Sequence, residues 1–281
     1  MRSKKLKKGS KRSLRKNSNK ISKNKTSTPR SKKTQESSLE VSRSPISKIS
    51  RGERRRHLDE RLQHLYQRVI YLEHEIVELE KDRFFRCCIF GSARIKPDTK
   101  AYDDVFNLAR FLAWEGIDIL TGGGPGLMEA ANKGAKLGQK EKKTKTLSFG
   151  ISIQLEFEPV PNSHLDVKRH HQRFSSRLDD FMRLSNCIVC TPGGIGTLLE
   201  LFFSWQLIQV KHIEKRPLVL LDRSFWSGVI EWLKDVPLSR GLISPQDFDV
   251  VHIVDTPEEA FEIVSAENKK FREMKIKKGA R

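Results

Sequence analysis

From Arg86 onward, short apolar runs and stretches of helical period take turns along the chain. Residues 87–91 form an apolar run closed by Gly91, and 102–114 carry Val105, Leu108, Ala109 and Leu112 on one helical face. The same reading predicts strands over 117–120, 147–153, 187–191, 217–221 and 250–254. Helices are predicted over 127–137, 173–184, 197–209 and 225–233, with a last one opened by Thr256-Pro257-Glu258-Glu259. Ahead of this alternation the pattern changes. Leu58, Leu62, Leu65, Val69, Leu72, Ile76 and Leu79 recur at spacings of 4, 3, 4, 3, 4, 3, one apolar seam on a single helix. Such a seam suits either a coiled coil with a second copy or a helix lying along the main domain with its stripe inward. Residues 1–50 hold only isolated apolar positions such as Leu6, Leu14 and Ile21, too few to offset the entropy of ordering.

Alternating strands and helices predict an α/β fold, a Rossmann-like doubly wound, mostly parallel sheet with helices on both faces and a long helix before it. Right-handed crossovers put the strand C-termini along one edge, where ligands bind in such sheets. The expected organisation is a disordered basic tail over 1–52, an amphipathic heptad helix over 53–83, and the nucleotide-binding domain over 84–275.

Charge refines this picture. Of the 54 Lys and Arg in 281 residues, 21 lie in 1–56 beside only 3 acids, a local excess of +18. The remainder has 33 basic and 32 acidic side chains, so the body is no basic nucleic-acid binder. The basic segment suits solubilisation, loose binding of RNA, DNA or an anionic surface by counterion release, or targeting. As an organellar presequence it would be unusual, being Lys-dominated and without an amphipathic helix. No run approaches about 18 consecutive apolar residues, so no membrane span is expected, and no apolar core marks a secretory signal. Four cysteines in a chain of this length are no disulfide framework. Cys187 and Cys190 form C-x-x-C inside a strand, where positions i and i+3 face opposite sides and cannot share a metal. A reducing, cytoplasmic setting follows. The adjacent His170 and His171 supply two ligands and no third, so they read as a polar loop pair rather than a metal site.

Three strand ends carry chemistry. Gly91-Ser92-Ala93-Arg94 leaves room for a ligand, and Arg94 could meet an anion. Gly122-Gly123-Gly124-Pro125-Gly126 lets backbone N–H groups approach a ligand that side chains would block. Its spacing matches neither G-x-G-x-x-G nor the P-loop, and tight strand-to-helix packing would explain it as well. Pro192-Gly193-Gly194-Ile195-Gly196-Thr197 opens a helix whose free N–H groups, positive dipole end and Thr hydroxyl make a phosphate cradle. Glu200 follows on nearly the same face, either beside that cradle for a chemical task or as partner of Thr197 in a capping box. No Lys lies in either glycine-rich turn to present a Schiff-base amine, which argues against decarboxylation by pyridoxal phosphate.

The pair G-G-G-P-G-L-M-E-A-A-N and P-G-G-x-G-T-x-x-E, with Trp226-Ser227-Gly228 and Gly241-Leu242-Ile243-Ser244-Pro245, resembles the Lonely Guy family of nucleoside 5′-monophosphate phosphoribohydrolases, often labelled lysine decarboxylases. The resemblance runs from about Cys88 to Phe261. It implies hydrolysis of the bond between base and ribose 5-phosphate without metal or cofactor, commonly by a homodimer. The family's essential Arg and Glu fall on Arg177 and Glu200. It further implies that Gly193, Gly194, Gly196 and Thr197 take the 5′-phosphate, with Ser92, Gly122, Gly123 and Gly124 around the nucleotide. Two neighbours depart from the family pattern: Leu178 stands where Lys is usual, and Leu199 where an acid is common.

The expected substrate is a purine nucleoside 5′-monophosphate, AMP or the cytokinin-type N6-modified AMP. The alternative is a non-catalytic nucleotide-binding regulator or carrier, tethered to nucleic acid by its basic segment. A carboxylate held beside a phosphate cradle is a cost that a pure binder has little reason to bear.

Overall fold

The computed structural model describes residues 50–81, 84–153 and 160–279, with side chains over 50–72, 84–153 and 160–277. The predicted basic tail therefore lies outside the described residues except for its last three positions. The chain divides into two units, Met1–His57 and Leu58–Arg281. In the first, the described part is Ser50 and the opening turns of helix α1 (Arg51–Lys81), where Ser50 and Glu53 exchange capping hydrogen bonds.

The second unit is built on seven parallel strands: β1 (Arg86–Phe90), β2 (Asp118–Thr121), β3 (Ser148–Ile153), β4 (Val167–His171), β5 (Cys187–Cys190), β6 (Leu218–Leu221) and β7 (Val251–Val254), in the order β4-β3-β2-β1-β5-β6-β7. The order reverses direction between β1 and β5, which makes that pair the topological switch point. Register there pairs Phe90 with Cys190, so Gly91 and Thr191 leave the sheet side by side.

Successive strand residues point to opposite faces, and each face meets its own helical layer. Cys87, Ile89, Cys187 and Val189 share one core with α2 (Lys100–Trp114), α3 (Leu127–Lys142) and α7 (Pro257–Gly279). Cys88, Phe90, Ile188 and Cys190 share the other with α4 (Phe174–Leu184), α5 (Ile195–Gln209) and α6 (Arg223–Leu233). All four cysteines are buried and free, and the C-x-x-C pair is split between the two layers, as alternation requires. Among the described residues no helix is long and apolar enough to cross a membrane.

Three details differ from the sequence reading. Helix α3 continues to Lys142 rather than 137, past Gly138 and through the helix formers Gln139, Lys140, Glu141 and Lys142, and ends on Lys143 in the left-handed region. Strand β4 was not expected from Val-Lys-Arg-His-His; as an edge strand it needs little apolar content, and it pairs only with β3. His170 and His171 therefore sit in a strand, not a loop, and point to opposite faces. The His170 ring bonds Ser152 (3.0 Å), while His171 bonds Asp180 (3.0 Å) and Ser176 (3.1 Å). Asp180, only 2% exposed, also binds Arg169 and Arg183, and so locks α4 against β4. Helix α4 is the element that carries Arg177.

Candidate active site

The loops leaving β1, β2 and β5 are tied together through Ser92. Its backbone N–H donates to the Pro192 carbonyl (3.1 Å), and its carbonyl accepts from the Leu127 N–H (2.9 Å). The Ser92 hydroxyl accepts from the Arg94 N–H (3.1 Å) and keeps its own proton to donate. The three informative turns thus converge on one edge of the sheet, at the switch point.

Helix α5 begins at Ile195 with Gly194 as its N-cap and no capping side chain. The N–H groups of Ile195, Gly196 and Thr197 therefore have no acceptor inside the helix, and the positive end of its dipole adds to them. A methyl on Gly193 would collide with the Thr197 side chain, whereas Gly194 and Gly196 face open space. Thr197 is the third helical residue rather than the cap, so a capping box with Glu200 is not formed. The Glu200 carboxylate instead faces Arg177, with Oε1 3.4 Å from Nη1.

Arg177 is fixed from three further sides. Its Nε–H donates to the Ile151 carbonyl at the end of β3 (2.9 Å). The guanidinium lies over the Phe181 ring, 5.0 Å from the centroid. Its Nη2 occupies the space that a side chain on Gly122 would need, 2.6 Å from an added methyl. Gly122 thus earns its place by the approach of the Arg, while Gly123 is demanded by its backbone (φ +76°).

Glu200 is 9% exposed. Burial pushes its carboxyl up to about 7, although Arg177 pulls it the other way. A group balanced near neutrality, beside a fixed cation and a helix N-terminus, can hold a water or hydroxyl and can face developing positive charge. Such a pair is suited to breaking a bond whose transition state is cationic. Among the described residues no cluster of His, Cys, Asp or Glu could hold a metal ion.

All ten residues singled out from the sequence thus lie on this edge: Arg177 and Glu200 in contact, Gly193, Gly194, Gly196 and Thr197 at the end of α5, and Ser92 and Gly122–Gly124 on the adjoining turns. Sequence reasoning missed the group that shapes the glycine turn. The Thr121 hydroxyl accepts from the Gly123 N–H (2.9 Å) and donates to Asn132 (2.8 Å). The Asn162 amide donates to the carbonyls of Gly123 (3.1 Å) and Gly124 (2.9 Å) and to Asn132 (2.9 Å). Asn132 closes the quoted motif, and that it alone is polar on the inward face of α3 was a usable signal. Asn162 stands in an irregular stretch, and nothing local marks it.

Residues 128–264 match the family model described as possible lysine decarboxylase. The probable cytokinin riboside 5′-monophosphate phosphoribohydrolase LOGL3 of Oryza sativa subsp. japonica is 27% identical over 189 residues, 64% of this chain and 83% of that protein. The pyrimidine/purine nucleotide 5′-monophosphate nucleosidase of Escherichia coli (strain K12) is 36% identical over 90 residues, 31% of this chain and only 20% of that protein. Among solved structures, the molybdenum cofactor binding protein from Rippkaea orientalis aligns at 22% identity with a TM-score of 0.47, over 66% of this chain and 97% of that one.

Proposed function

We propose that this chain, a relative of the Lonely Guy phosphoribohydrolases, hydrolyses the N-glycosidic bond of a nucleoside 5′-monophosphate, with AMP or an N6-modified AMP as the preferred substrate. The contact between Arg177 and Glu200, beside the uncapped glycine end of α5, carries this reading. The names of the rice and E. coli relatives support the reaction class, and purine preference is the narrower part of the proposal.

In this scheme the 5′-phosphate accepts from the free N–H groups of Ile195, Gly196 and Thr197, which sets the ribose over Glu200. Stretching the C1′–N bond builds positive charge on the sugar, and the Glu200 carboxylate faces it. Water adds its oxygen to C1′, the bond's electron pair leaves with the base nitrogen, and the water's proton is passed on to the departing base. Arg177 cannot swing away, because Ile151, Phe181 and Gly122 confine it. It orients Glu200 and offers its remaining N–H donors to the nucleotide. The products are free base and ribose 5-phosphate.

The test is release of base from a panel of nucleoside 5′-monophosphates and the matching nucleosides, followed by chromatography. Release from AMP but not adenosine, lost in Glu200→Gln, is the expected result. Binding of AMP with no release by the unaltered chain would overturn hydrolysis in favour of a regulator or carrier.

A further inference from the structure

We infer that helix α1 is an interaction surface whose partner is a second copy of itself, joined as a parallel two-stranded coiled coil. The stripe is not turned inward. Leu58, Leu62, Leu65, Val69 and Leu72 are 48–63% exposed, although the helix belongs to the same compact unit as the sheet from Leu58 onward. One contact of α1 with the body comes from a flank: Arg173, the N-cap of α4, donates to the Tyr66 hydroxyl and lies over its ring, 5.7 Å from the centroid. Tyr66 is one position past Leu65, so this contact leaves the seam open.

The spacing identifies what covers it. A repeat of 4 and 3 averages 3.5 residues, the period of a helix wound around another helix rather than laid on a sheet. In heptad terms Leu58, Leu65, Leu72 and Leu79 take position d, and Leu62, Val69 and Ile76 take position a. Leucine throughout d with β-branched residues at two of three a positions is the pattern that, in a parallel coiled coil, favours two strands over three or four. Charge agrees over the centre of the helix. In a parallel pair Arg68 at g faces Glu73 at e of the other copy. Glu75 and Glu80 oppose each other at the C-terminal end, a local cost. From Leu58 to Leu79 the seam runs roughly 32 Å at 1.5 Å per residue. Covering it on both helices removes on the order of 1,200 Å², where stable interfaces begin. Among the described residues no other helix repeats this pattern, which leaves α1 of a second molecule as the matching occupant.

The experiment uses the full chain with Leu58→Cys and a mild thiol oxidant, read on a non-reducing gel. The unaltered chain should not cross-link, since its four thiols are all buried. Leu58→Cys should give mostly covalent dimer, and adding Leu65→Asp with Leu72→Asp should cut that dimer at least tenfold. Thermal unfolding of the body should be unchanged in both variants, because the altered residues are exposed. Absence of the covalent dimer would overturn the proposal, since an antiparallel pair holds the two residues roughly 32 Å apart. Undiminished cross-linking after the Asp substitutions would overturn it too, by showing that contacts elsewhere bring the helices together.

Discussion

Glu200→Gln should stabilise the protein increasingly as pH rises from about 4.5 to about 7, while it removes activity. The carboxyl stands at about 7 in the fold against an ordinary 4.5, because burial disfavours its charged form more than Arg177 favours it. Between those values the folded chain keeps a proton that the unfolded chain has released. Stability from this group is therefore complete below 4.5 and falls as pH rises through about 7. At 1.36 kcal/mol per pKa unit, the loss amounts to about 3 kcal/mol. Glutamine has nearly the same shape, can still accept from Arg177, and does not ionise. The gap in unfolding free energy between variant and unaltered chain should thus widen by about 2–3 kcal/mol from pH 5 to pH 8.5, part of the loss having already occurred by pH 5. Urea unfolding at both pH values measures it. Asp118, whose carboxyl burial lifts to about 6, titrates in both proteins and cancels in the comparison. A gap that stays constant to within about 0.5 kcal/mol would refute the claim that Glu200 is held against its own solvation. Base release should fall by roughly 10²–10³-fold in the same variant, which makes the buried carboxylate a stability cost tied to function.

If the ionised Glu200 is the working form, kcat/KM should rise with pH and level off above about 7, and a flat profile from pH 5 to 9 would remove that role. Gly122→Ala should lower stability by about 1–3 kcal/mol in urea unfolding, because the new methyl would stand 2.6 and 2.7 Å from the Arg177 and Met128 side chains and Arg177 is held by Ile151, Phe181 and Glu200. By displacing Arg177 it should slow base release at least about 100-fold. Gly123→Ala should also destabilise the fold, by about 1–2 kcal/mol, since φ is +76° and the methyl would stand 3.1 Å from the Gly150 backbone. Asp180→Ala removes the buried carboxylate that Arg169, His171 and Arg183 share, and should cost about 1–3 kcal/mol in denaturant unfolding while loosening the helix that carries Arg177.

The alternation of elements was legible because burial on one element repeats with that element's own period. Strands β1, β2, β5 and β6 have both faces buried; β5 and β6 read as continuous apolar runs, β1 does so from Cys87, and β2 through Ile119 and Leu120. Strand β4 escaped because an edge strand packed on one side carries no such run. The glycine turns were legible for a similar reason: a backbone that must approach a ligand or another chain segment announces itself by lacking side chains.

What the sequence by itself determined is therefore local: the α/β order, the glycine-rich ends of β2 and β5, the heptad spacing of α1, and the resemblance that picked out Arg177 and Glu200. Tertiary structure alone decided what those pieces meet. Arg177 and Glu200 are 23 positions apart and touch because α4 and α5 pack on the same face of the sheet. Gly122 is required by an arginine 55 residues later, and the Gly123 turn is held by an asparagine 39 residues later. The exposure of the α1 seam likewise cannot be read from its period, which is the same whether the stripe is covered or bare. The reason is common to all of them. Periodicity records which side of an element is apolar, but the distance between two side chains and the solvation left to a carboxyl exist only once several elements have closed around them.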